Sequence, residues 1–248
     1  MRTIPKIVHY CWFGNGEKPQ EVQDCIASWK EKMPGYEFME WNESNFDVSR
    51  AIPYVKQAYE AKKFAFVSDY VRIQALHRFG GIYFDTDVEV LKPFEEYLEE
   101  DAMLLGFESE RSLLTAFIAV EKEHPYMKEF LDSYESRNFL NEDGSYDLTV
   151  INKGFSELME KKGVDLNRNE YQKLSDCRIE VYPIEFFCGF DMNNWHEAVT
   201  EKTYTVHHMA GSWVAGGGAL KKKVIKLLQK IIGCKNYDKL RGMLKGGK

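Results

Sequence analysis

The chain has 248 residues, of which 44% are hydrophobic and 29% are charged, so it can form one sizeable α/β domain or at most two small ones and is too apolar to be disordered. Its net charge of −6 is unevenly distributed, because residues 221–248 hold ten basic side chains and one acidic side chain, which leaves residues 1–220 strongly acidic. An acidic body argues against a nucleic-acid enzyme.

Two further patterns bear on the cellular compartment. No stretch approaches the ~18 consecutive apolar residues of a membrane span, and the segment Met1-Arg2-Thr3-Ile4-Pro5 has no apolar signal region. We therefore expect a cytoplasmic protein. The cysteines are widely spaced and form no Cys-x-x-Cys pair, so free buried thiols are expected rather than disulfides or a zinc site. They are Cys11, Cys25, Cys177, Cys188 and Cys234.

Strand and helix patterns alternate from the start of the chain. The predicted elements are, in chain order, a strand at 4–12, a helix from 19 to 33, a strand at 36–41 and helices at 54–61 and 65–79. Pro34-Gly35 ends the first helix, and Gly80-Gly81 ends the last one.

The alternation continues in the second half of the chain. Strands are predicted at 82–90, 102–107, 115–120, 178–182 and 204–208, and helices at 124–136 and 152–161. Strands that alternate with helices are typical of an α/β domain with a largely parallel sheet. In such sheets the ligand binds at the carboxyl ends of the strands.

The segment Asp85-Thr86-Asp87 carries the clearest chemical signal. Because side chains alternate along a strand, Asp85 and Asp87 are expected to share one side of the strand predicted at 82–90. Two neighbouring carboxylates repel each other unless a cation lies between them, and oxygen-rich sites suit Mg²⁺ or Mn²⁺. The alternative is that both carboxylates lie on the solvated face of an edge strand.

Three blocks of sequence, well separated along the chain, occur together. The central block is Ser68-Asp69-Tyr70-Val71-Arg72 and Leu76, then Phe79-Gly80-Gly81-Ile82-Tyr83 before the Asp pair, then Leu91-Lys92-Pro93. The first block is Ile4-Pro5-Lys6-Ile7-Val8-His9 with Trp12-Phe13-Gly14, and the third is His207-His208-Met209-Ala210-Gly211-Ser212-Trp213. In this order the blocks resemble the sugar-nucleotide glycosyltransferases of family 32, which contain a DXD segment. This family includes fungal mannosyltransferases and bacterial capsule and lipopolysaccharide enzymes, and it is related to the clostridial glucosylating toxins.

The resemblance implies a fold and a reaction class. It implies an α/β fold of the GT-A type and a metal-dependent, retaining transfer from a nucleotide sugar, with UDP-sugars favoured over GDP-sugars. The implied acceptor is a glycan or lipid-linked glycan of a surface polysaccharide, either capsule or lipopolysaccharide.

The resemblance also implies ligands for the cation and for the donor diphosphate. Asp85 and Asp87 would hold Mn²⁺ or Mg²⁺ on the diphosphate. A further contact, to the metal or to the diphosphate, would come from one of two adjacent histidines. We favour His208 over His207, with a histidine of the core as the alternative. Ser212 and Trp213 would cap the diphosphate through a hydroxyl and an indole N–H.

Other residues would bind the rest of the donor. Asp69 and Arg72 lie at i and i+3 of a helix and would grip the hydroxyls of the donor sugar, the alternative being an intrahelical ion pair. Trp12 would stack on the nucleobase, unless it is a core residue, and Tyr83 would touch the ribose. Because no residue stands out as a nucleophile, we favour a front-face mechanism in which the leaving phosphate takes the acceptor proton.

The last part of the chain has a different character. We divide the chain into a glycosyltransferase domain at 1–218 and a basic tail at 219–248, separated by Gly216-Gly217-Gly218. Apolar residues at helical spacing with lysines between them predict an amphipathic helix in the tail. It would hold the enzyme at the anionic inner face of the cell membrane as a peripheral protein, or it would pack on the domain.

Two other function classes compete with the transferase. A phosphohydrolase can use a strand-end Asp-x-Asp pair, but such enzymes usually continue into Gly-Thr or Gly-Val, whereas Val88-Glu89 follows here. The second alternative is a carbohydrate-binding protein that has lost catalysis, and the intact Asp pair argues against this hypothesis.

Overall fold

The computed structural model describes residues 4–98, 102–192 and 195–210, together with Gly233 and Tyr237. The α-helices are α1 Gln20–Lys32, α2 Pro53–Glu60, α3 Phe64–Phe79, α4 Pro125–Asp132, α5 Ile151–Lys161 and α6 Ile184–Phe187. The strands are β1 Ile7–Cys11, β2 Glu37–Trp41, β3 Gly81–Phe84, β4 Val88–Val90, β5 Met103–Ser109, β6 Ser112–Leu113, β7 Phe117–Val120, β8 Gln172–Leu174, β9 Ile179–Tyr182, β10 Phe190–Asp191, β11 His196–Glu197 and β12 Thr205–His207.

An eight-stranded sheet forms the centre of the fold, with the order β2-β1-β3-β7-β5-β9-β8 and β6 paired to β5. β1 is parallel to β2 and β3, and β5 is parallel to β9. Because β7 is antiparallel to both β3 and β5, these two also run in the same direction. Five strands therefore share one direction, and the mixed α/β architecture with a mostly parallel sheet is confirmed.

Alternating side chains divide the core into two layers, one on each face of the sheet. On β3, Tyr83 packs into the layer formed with α2, α3, α4 and α5, whereas Ile82 and Phe84 pack into the layer formed with α1. The same alternation holds on β7, where Ile118 faces the first layer and Phe117 faces the second. Period-two burial of this kind is what a sheet covered on both faces requires.

Helix α3 is buried on most of its circumference, which explains why its sequence is apolar on several sides. The helix ends at Gly80, whose φ of +67° is costly for other residues, and a Cβ at this position would lie 2.5 Å from the backbone nitrogen of Lys122. The chain then enters β3 directly, so the predicted glycine stop is confirmed. This short connection brings the end of α3 beside the start of β3.

β4 and β12 form a separate two-stranded sheet. β4 pairs with β12 in antiparallel register, with Val88 opposite His207 and Val90 opposite Thr205. Helix α1 holds β4 in place, because Trp29 donates its indole N–H to the Val88 carbonyl at 2.6 Å. The prediction of one continuous strand at 82–90 is therefore wrong at 85–87, where the chain turns from the large sheet to the small one.

The structure also bears on the predicted thiols, on membrane-spanning helices and on the basic tail. Cys11, Cys25, Cys177 and Cys188 are free thiols, as expected, and Cys234 lies outside the described residues. Within the described part of the chain, no helix is long and apolar enough to cross a membrane. The predicted tail at 219–248 lies outside the described residues except for Gly233 and for Tyr237, which is buried.

Candidate functional site

A cleft of about 1950 Å³ opens where β1, β3 and β5 end. The residues that reach it from these strand ends are Trp12 after β1, Asp85 after β3 and Glu108 near the end of β5. Since the three strands share one direction, their carboxyl ends meet at the same edge of the sheet, which is where ligands bind in α/β proteins. The site predicted at the carboxyl ends of the strands therefore coincides with a cleft.

Asp85 begins the turn that separates β3 from β4. Its N–H donates to the Ala116 carbonyl at 2.9 Å, and its own carbonyl accepts from the Val88 N–H at 3.0 Å. The carboxylate is fixed on one side by Tyr83, whose hydroxyl donates to Oδ1 at 3.0 Å. On the other side, Arg72 Nη2 lies 3.0 Å from Oδ1. Asp85 is thus held in place by a strand residue and a helix residue.

Asp87 lies at the other end of the same turn, beside the third sequence block. Its Oδ2 accepts from the Ala210 N–H at 2.8 Å, and its Oδ1 lies 3.3 Å from Nε2 of His207. The register of β12 against β4 explains this contact, because His207 stands opposite Val88, the residue that follows Asp87. The turn therefore brings Asp85 and Asp87 together with a histidine that is more than a hundred residues away in sequence.

These three residues form a candidate metal site. One ligand atom from each of Asp85, Asp87 and His207 lies within 4.8 Å of the other two. Two carboxylate oxygens and one imidazole nitrogen are a donor set that a divalent cation accepts. The expectation from sequence preferred His208 as the histidine of this site, and the structure groups His207 instead.

His208, the residue directly after β12, points away from the cluster because successive side chains along an extended chain lie on opposite sides. Its Nδ1 lies 2.9 Å from Glu197 and its Nε2 lies 3.1 Å from Glu89. Both ring nitrogens thus face carboxylates outside the cluster. The backbone N–H of His208 still contributes, since it donates to the Asp87 carbonyl at 2.9 Å.

The charges of Asp87 and His207 support each other. Burial alone would raise the pKa of Asp87, but the imidazolium of His207 outweighs this effect and lowers it to about 2. Burial alone would lower the pKa of His207, but the carboxylates of Asp87, Asp85 and Glu108 outweigh it and raise it to about 9. At neutral pH and without a cation, His207 is therefore a proton-bearing partner of Asp87.

Asp69 and Arg72 form a buried ion pair on α3 that faces the same cleft. Arg72 Nη2 lies 2.9 Å from Asp69 Oδ1, and Nη1 donates to the Thr115 carbonyl at 2.7 Å. Burial raises the pKa of Asp69 to about 6, although the neighbouring guanidinium favours the ionised form. Because Arg72 also contacts Asp85, this pair is more than a surface i,i+3 pair, and it connects α3 to the candidate metal site.

Trp12 and Tyr83 occupy different parts of the cleft. Trp12 is only partly buried, its indole N–H donates to the Gly16 carbonyl at 2.7 Å, and Lys18 lies over its ring at 5.8 Å. An indole anchored at its nitrogen and lining a cleft is suited to stacking on a flat ring. Tyr83 is buried, its hydroxyl donates to Asp85, and the Arg72 guanidinium lies over its ring.

Sequence reasoning missed two polar residues of the cleft, Glu108 and Asn152. Asn152 Nδ2 donates to Glu108 Oε2 at 3.0 Å and to the Leu113 carbonyl at 3.0 Å, while its Oδ1 accepts from the Thr115 hydroxyl at 3.1 Å. A signal was present for Glu108, because it is a carboxylate at the end of an apolar strand, as Asp85 is. Ser212 and Trp213 lie outside the described residues.

Comparison with known proteins shows that the centre of the chain is similar to a known family. Residues 19–104 match the family model described as a glycosyltransferase sugar-binding region containing a DXD motif, and this region includes Asp69, Arg72, Asp85 and Asp87. This part of the chain is similar to that family. The match includes the central one of the three sequence blocks, agrees with the predicted resemblance and supports the prediction of a glycosyltransferase enzyme.

Curated relatives match over parts of their length. Inositol phosphoceramide mannosyltransferase 1 of Schizosaccharomyces pombe is 22% identical over 148 residues, which cover 56% of this chain and 45% of the relative. Lactosylceramide 4-alpha-galactosyltransferase of Homo sapiens is 39% identical over 72 residues, which cover 27% of this chain and 19% of the relative. The chain thus spans less than half the length of each of these relatives.

A solved structure shares the fold. The PaToxG glycosyltransferase superposes with a TM-score of 0.50 and 18% identity, covering 65% of this chain and 71% of that one. At this identity the likeness concerns the fold alone. It agrees with the prediction of a GT-A type fold, which is confirmed.

Proposed function

We propose that this chain is a metal-dependent glycosyltransferase that moves a sugar from a nucleotide-sugar donor to a glycan acceptor. The observation that carries the proposal is the convergence of Asp85, Asp87 and His207 in the cleft where the strands end. Both aspartates lie in the region that matches the DXD family model. A cation at this point would lie beside the Asp69–Arg72 pair, where a diphosphate and its sugar could both be bound.

The three side chains fit a divalent cation, and we propose Mn²⁺ or Mg²⁺. Their ligand atoms already lie within 4.8 Å of one another, so a single ion can reach all three. The imidazole favours Mn²⁺, because Mg²⁺ is bound almost exclusively through oxygen ligands. When bound, the cation would neutralise the negative charge that develops on the departing nucleoside diphosphate.

The remaining binding roles belong to other residues of the chain. We propose that Asp69 and Arg72 bind hydroxyls of the donor sugar, that Trp12 stacks on the base, and that Ser212 and Trp213 cap the diphosphate. Tyr83 is proposed to position Asp85, because its hydroxyl is already bonded to that carboxylate. A UDP-sugar is the donor that we propose to test first.

We propose that the configuration at the transferred carbon is retained by a front-face reaction, in which an oxygen of the leaving diphosphate takes the acceptor proton. The pairing of three of the carboxylates that line the cleft supports this mechanism. Asp69 and Asp85 are bound to Arg72, and Asp87 is bound to His207. A carboxylate held in this way is poorly placed to attack the sugar from the opposite side.

We propose that the acceptor is a growing surface polysaccharide, capsule or lipopolysaccharide, on a lipid carrier. The names of the two curated relatives specify ceramide lipids, which supports a lipid-linked acceptor. A cytoplasmic enzyme that is peripheral at the inner face of the membrane, attached through residues 219–248, would meet such an acceptor. This location rests on the charge pattern of the tail alone.

The proposal is tested by incubating the full chain with a panel of nucleotide sugars and Mn²⁺ and following donor hydrolysis by chromatography. Asp87→Asn should reduce hydrolysis at least 100-fold, because a carboxylate charge at a metal site typically contributes several kcal/mol to stabilising the departing charge. Asp85→Asn should be nearly as harmful, and a chelator should act on the parent in the same way. Glu89→Gln is the matched control, since it removes a charge two residues away and should keep most of the activity.

Each outcome has a distinct meaning. Hydrolysis at the full rate in excess chelator would refute the metal site. Release of phosphate from simple phosphate esters, with no cleavage of any nucleotide sugar, would favour a phosphohydrolase. Donor binding by the parent without hydrolysis or transfer would favour a carbohydrate-binding protein that has lost catalysis. The anomeric configuration of the product, read by proton NMR, tests retention.

A further inference from the structure

The two ring nitrogens of His207 have different surroundings. Nε2 faces Asp87 Oδ1 at 3.3 Å, in the cluster proposed to hold a cation. Nδ1 is buried and makes no hydrogen bond, although Glu108 Oε1 lies 3.8 Å from it. That distance is about 1 Å longer than a charge-assisted hydrogen bond. A buried nitrogen without a partner is costly, so a carboxylate this near to Nδ1 calls for an explanation.

Glu108 is fixed by the helix that forms the opposite wall of the cleft. Its Oε2 accepts from Asn152 Nδ2 at 3.0 Å, and Asn152 is itself held by the Thr115 hydroxyl and the Leu113 carbonyl. Only 16% of the Glu108 side chain is exposed. One oxygen of this carboxylate is therefore occupied, and the other is directed towards His207.

With a cation bound at Nε2, Nδ1 of His207 would require a hydrogen-bond acceptor. An imidazole binds a metal through a nitrogen that carries no proton, so Nε2 of His207 would be unprotonated with a cation bound. The neutral ring then keeps its proton on Nδ1. In metal sites this second N–H is almost always donated to a carboxylate, a carbonyl or a water, which fixes the tautomer and the ring orientation.

We propose that Glu108 is the positioning residue of His207: it accepts the Nδ1 proton and thereby directs the Nε2 lone pair at the cation. The inference rests on the proposed function, since it requires that Asp85, Asp87 and His207 bind a metal. Asn152 takes part indirectly by holding Glu108 at the correct side of the ring. Thr115 connects these residues to Arg72, because its hydroxyl donates to Asn152 and its carbonyl accepts from Arg72 Nη1.

The position of Glu108 argues against a direct bond to the same cation. The three grouped ligand atoms are those of Asp85, Asp87 and His207, and the carboxylate of Glu108 is at the far side of the imidazole, next to Nδ1. A carboxylate in this place suits a partner that donates a proton to it.

The test measures Mn²⁺ affinity of the full chain by the electron paramagnetic resonance signal of free Mn²⁺, with UDP present. Glu108→Gln should weaken Mn²⁺ binding by about 10- to 100-fold, as the loss of such outer partners usually does. Asn152→Ala should weaken it in the same direction by a smaller factor. Glu197→Gln is the matched control, because it removes an equal charge from the partner of His208, and its affinity should stay within about threefold of the parent.

A double-mutant cycle decides whether Glu108 acts through the histidine. In a His207→Gln background, Glu108→Gln should have little further effect, because the ring that it positions is gone. Equal Mn²⁺ affinity of Glu108→Gln and the parent, or full additivity of the two substitutions, would overturn the inference and leave the metal site intact. A parent that binds no Mn²⁺ would overturn the proposed function as well. Circular dichroism and the melting temperature verify that each variant is folded.

Discussion

His207 lies directly opposite Val88 in the antiparallel pair of β12 and β4, and this register places its Nε2 3.3 Å from Oδ1 of Asp87. A shift of one residue would exchange His207 and His208, since neighbouring side chains of a strand point to opposite faces. The choice of ligand thus depends on a pairing between segments that are distant in sequence. No local pattern in the block containing both histidines could decide it.

This relationship gives the first prediction. His207→Gln should weaken Mn²⁺ binding at least tenfold and reduce donor hydrolysis, because it removes a proposed ligand. His208→Gln should leave Mn²⁺ affinity within about threefold of the parent, since its ring contacts Glu89 and Glu197 instead. The two adjacent substitutions are each other's control, and isothermal titration calorimetry with UDP present measures both. A larger loss in His208→Gln would restore the assignment first made from the sequence.

The second prediction separates base binding from sugar binding. Trp12→Ala should weaken binding of UDP itself, since a stacked base contributes about 1–3 kcal/mol, which is roughly 5- to 150-fold in affinity. Asp69→Asn should lower turnover of the UDP-sugar and leave UDP affinity near the parent value, because its contacts are with Arg72 and the proposed sugar site. Calorimetry with UDP and Mn²⁺ checks the division, and equal losses in both variants would refute it.

A substitution of Arg72 would not test sugar binding alone. The contacts that cause this are visible in the structure and not in the sequence. The Arg72 guanidinium contacts both Asp69 and Asp85, and its side chain is only 5% exposed. Arg72→Ala would leave the buried carboxylate of Asp69 and the partly exposed carboxylate of Asp85 without their cation, and the loss of one partner of a buried pair typically costs 3–5 kcal/mol. We therefore expect this variant to lose metal binding and stability together, so Asp69→Asn is the cleaner substitution.

The sequence predicts those features of the fold that depend on one continuous segment, and it does not predict those that depend on partners distant in sequence. Helix α3 and its stop at Gly80 depend on residues within one segment, and both were predicted. The short strands β6, β8, β10 and β11 were missed, because two or three residues show no periodicity and form strands only through their partners.

The turn at Asp85 was missed for the same reason, since apolar alternation continues from β3 into β4 while the hydrogen-bond partner changes from β7 to β12. The candidate site divides in the same way. Asp69, Arg72, Asp85 and Asp87 lie within twenty residues and form a recognisable block, whereas Glu108 acquires its place only through Asn152 on α5.

The third prediction concerns stability and pH, and it involves His9 on β1. His9 is fully buried, its Nε2 is 2.8 Å from the Gly80 carbonyl, and its Nδ1 accepts from the Trp41 indole at 3.3 Å. Burial lowers the pKa of His9 from 6.5 to about 4, although the contact with Gly80 opposes this shift. A protonated ring would also lose the acceptor that Trp41 uses.

The two pKa values of His9 determine how the free energy of unfolding changes with pH. Between pH 6.5 and 4 the unfolded chain takes up a proton at His9 and the folded chain does not, so the free energy of unfolding falls as the pH is lowered through this window. The full effect is about 3 kcal/mol, at 1.36 kcal/mol per pKa unit. His9→Gln keeps one donor and one acceptor but cannot titrate, so urea unfolding at pH 7 and pH 4.5 should show a smaller loss than in the parent. The same loss in both proteins would contradict the prediction.

The fourth prediction is that residues 219–248 determine where the enzyme is found and leave its chemistry unchanged. Every residue proposed to bind metal or donor precedes Gly216-Gly217-Gly218, so truncation after Gly218 should keep donor hydrolysis. It should also reduce sedimentation with vesicles rich in anionic lipid, to which each basic residue adds about 1 kcal/mol.

A variant with glutamine at Lys222, Lys223, Lys226 and Lys230 is the matched control for the truncation, because it keeps the apolar stripe of the tail and removes four charges. If electrostatic attraction holds the tail at the membrane, this variant and the parent in high salt should both be released. The buried side chain of Tyr237 favours the alternative that the tail packs on protein. In that case the truncated chain would melt at a markedly lower temperature and the parent would ignore vesicles, which together would refute the membrane role and leave the proposed transferase untouched.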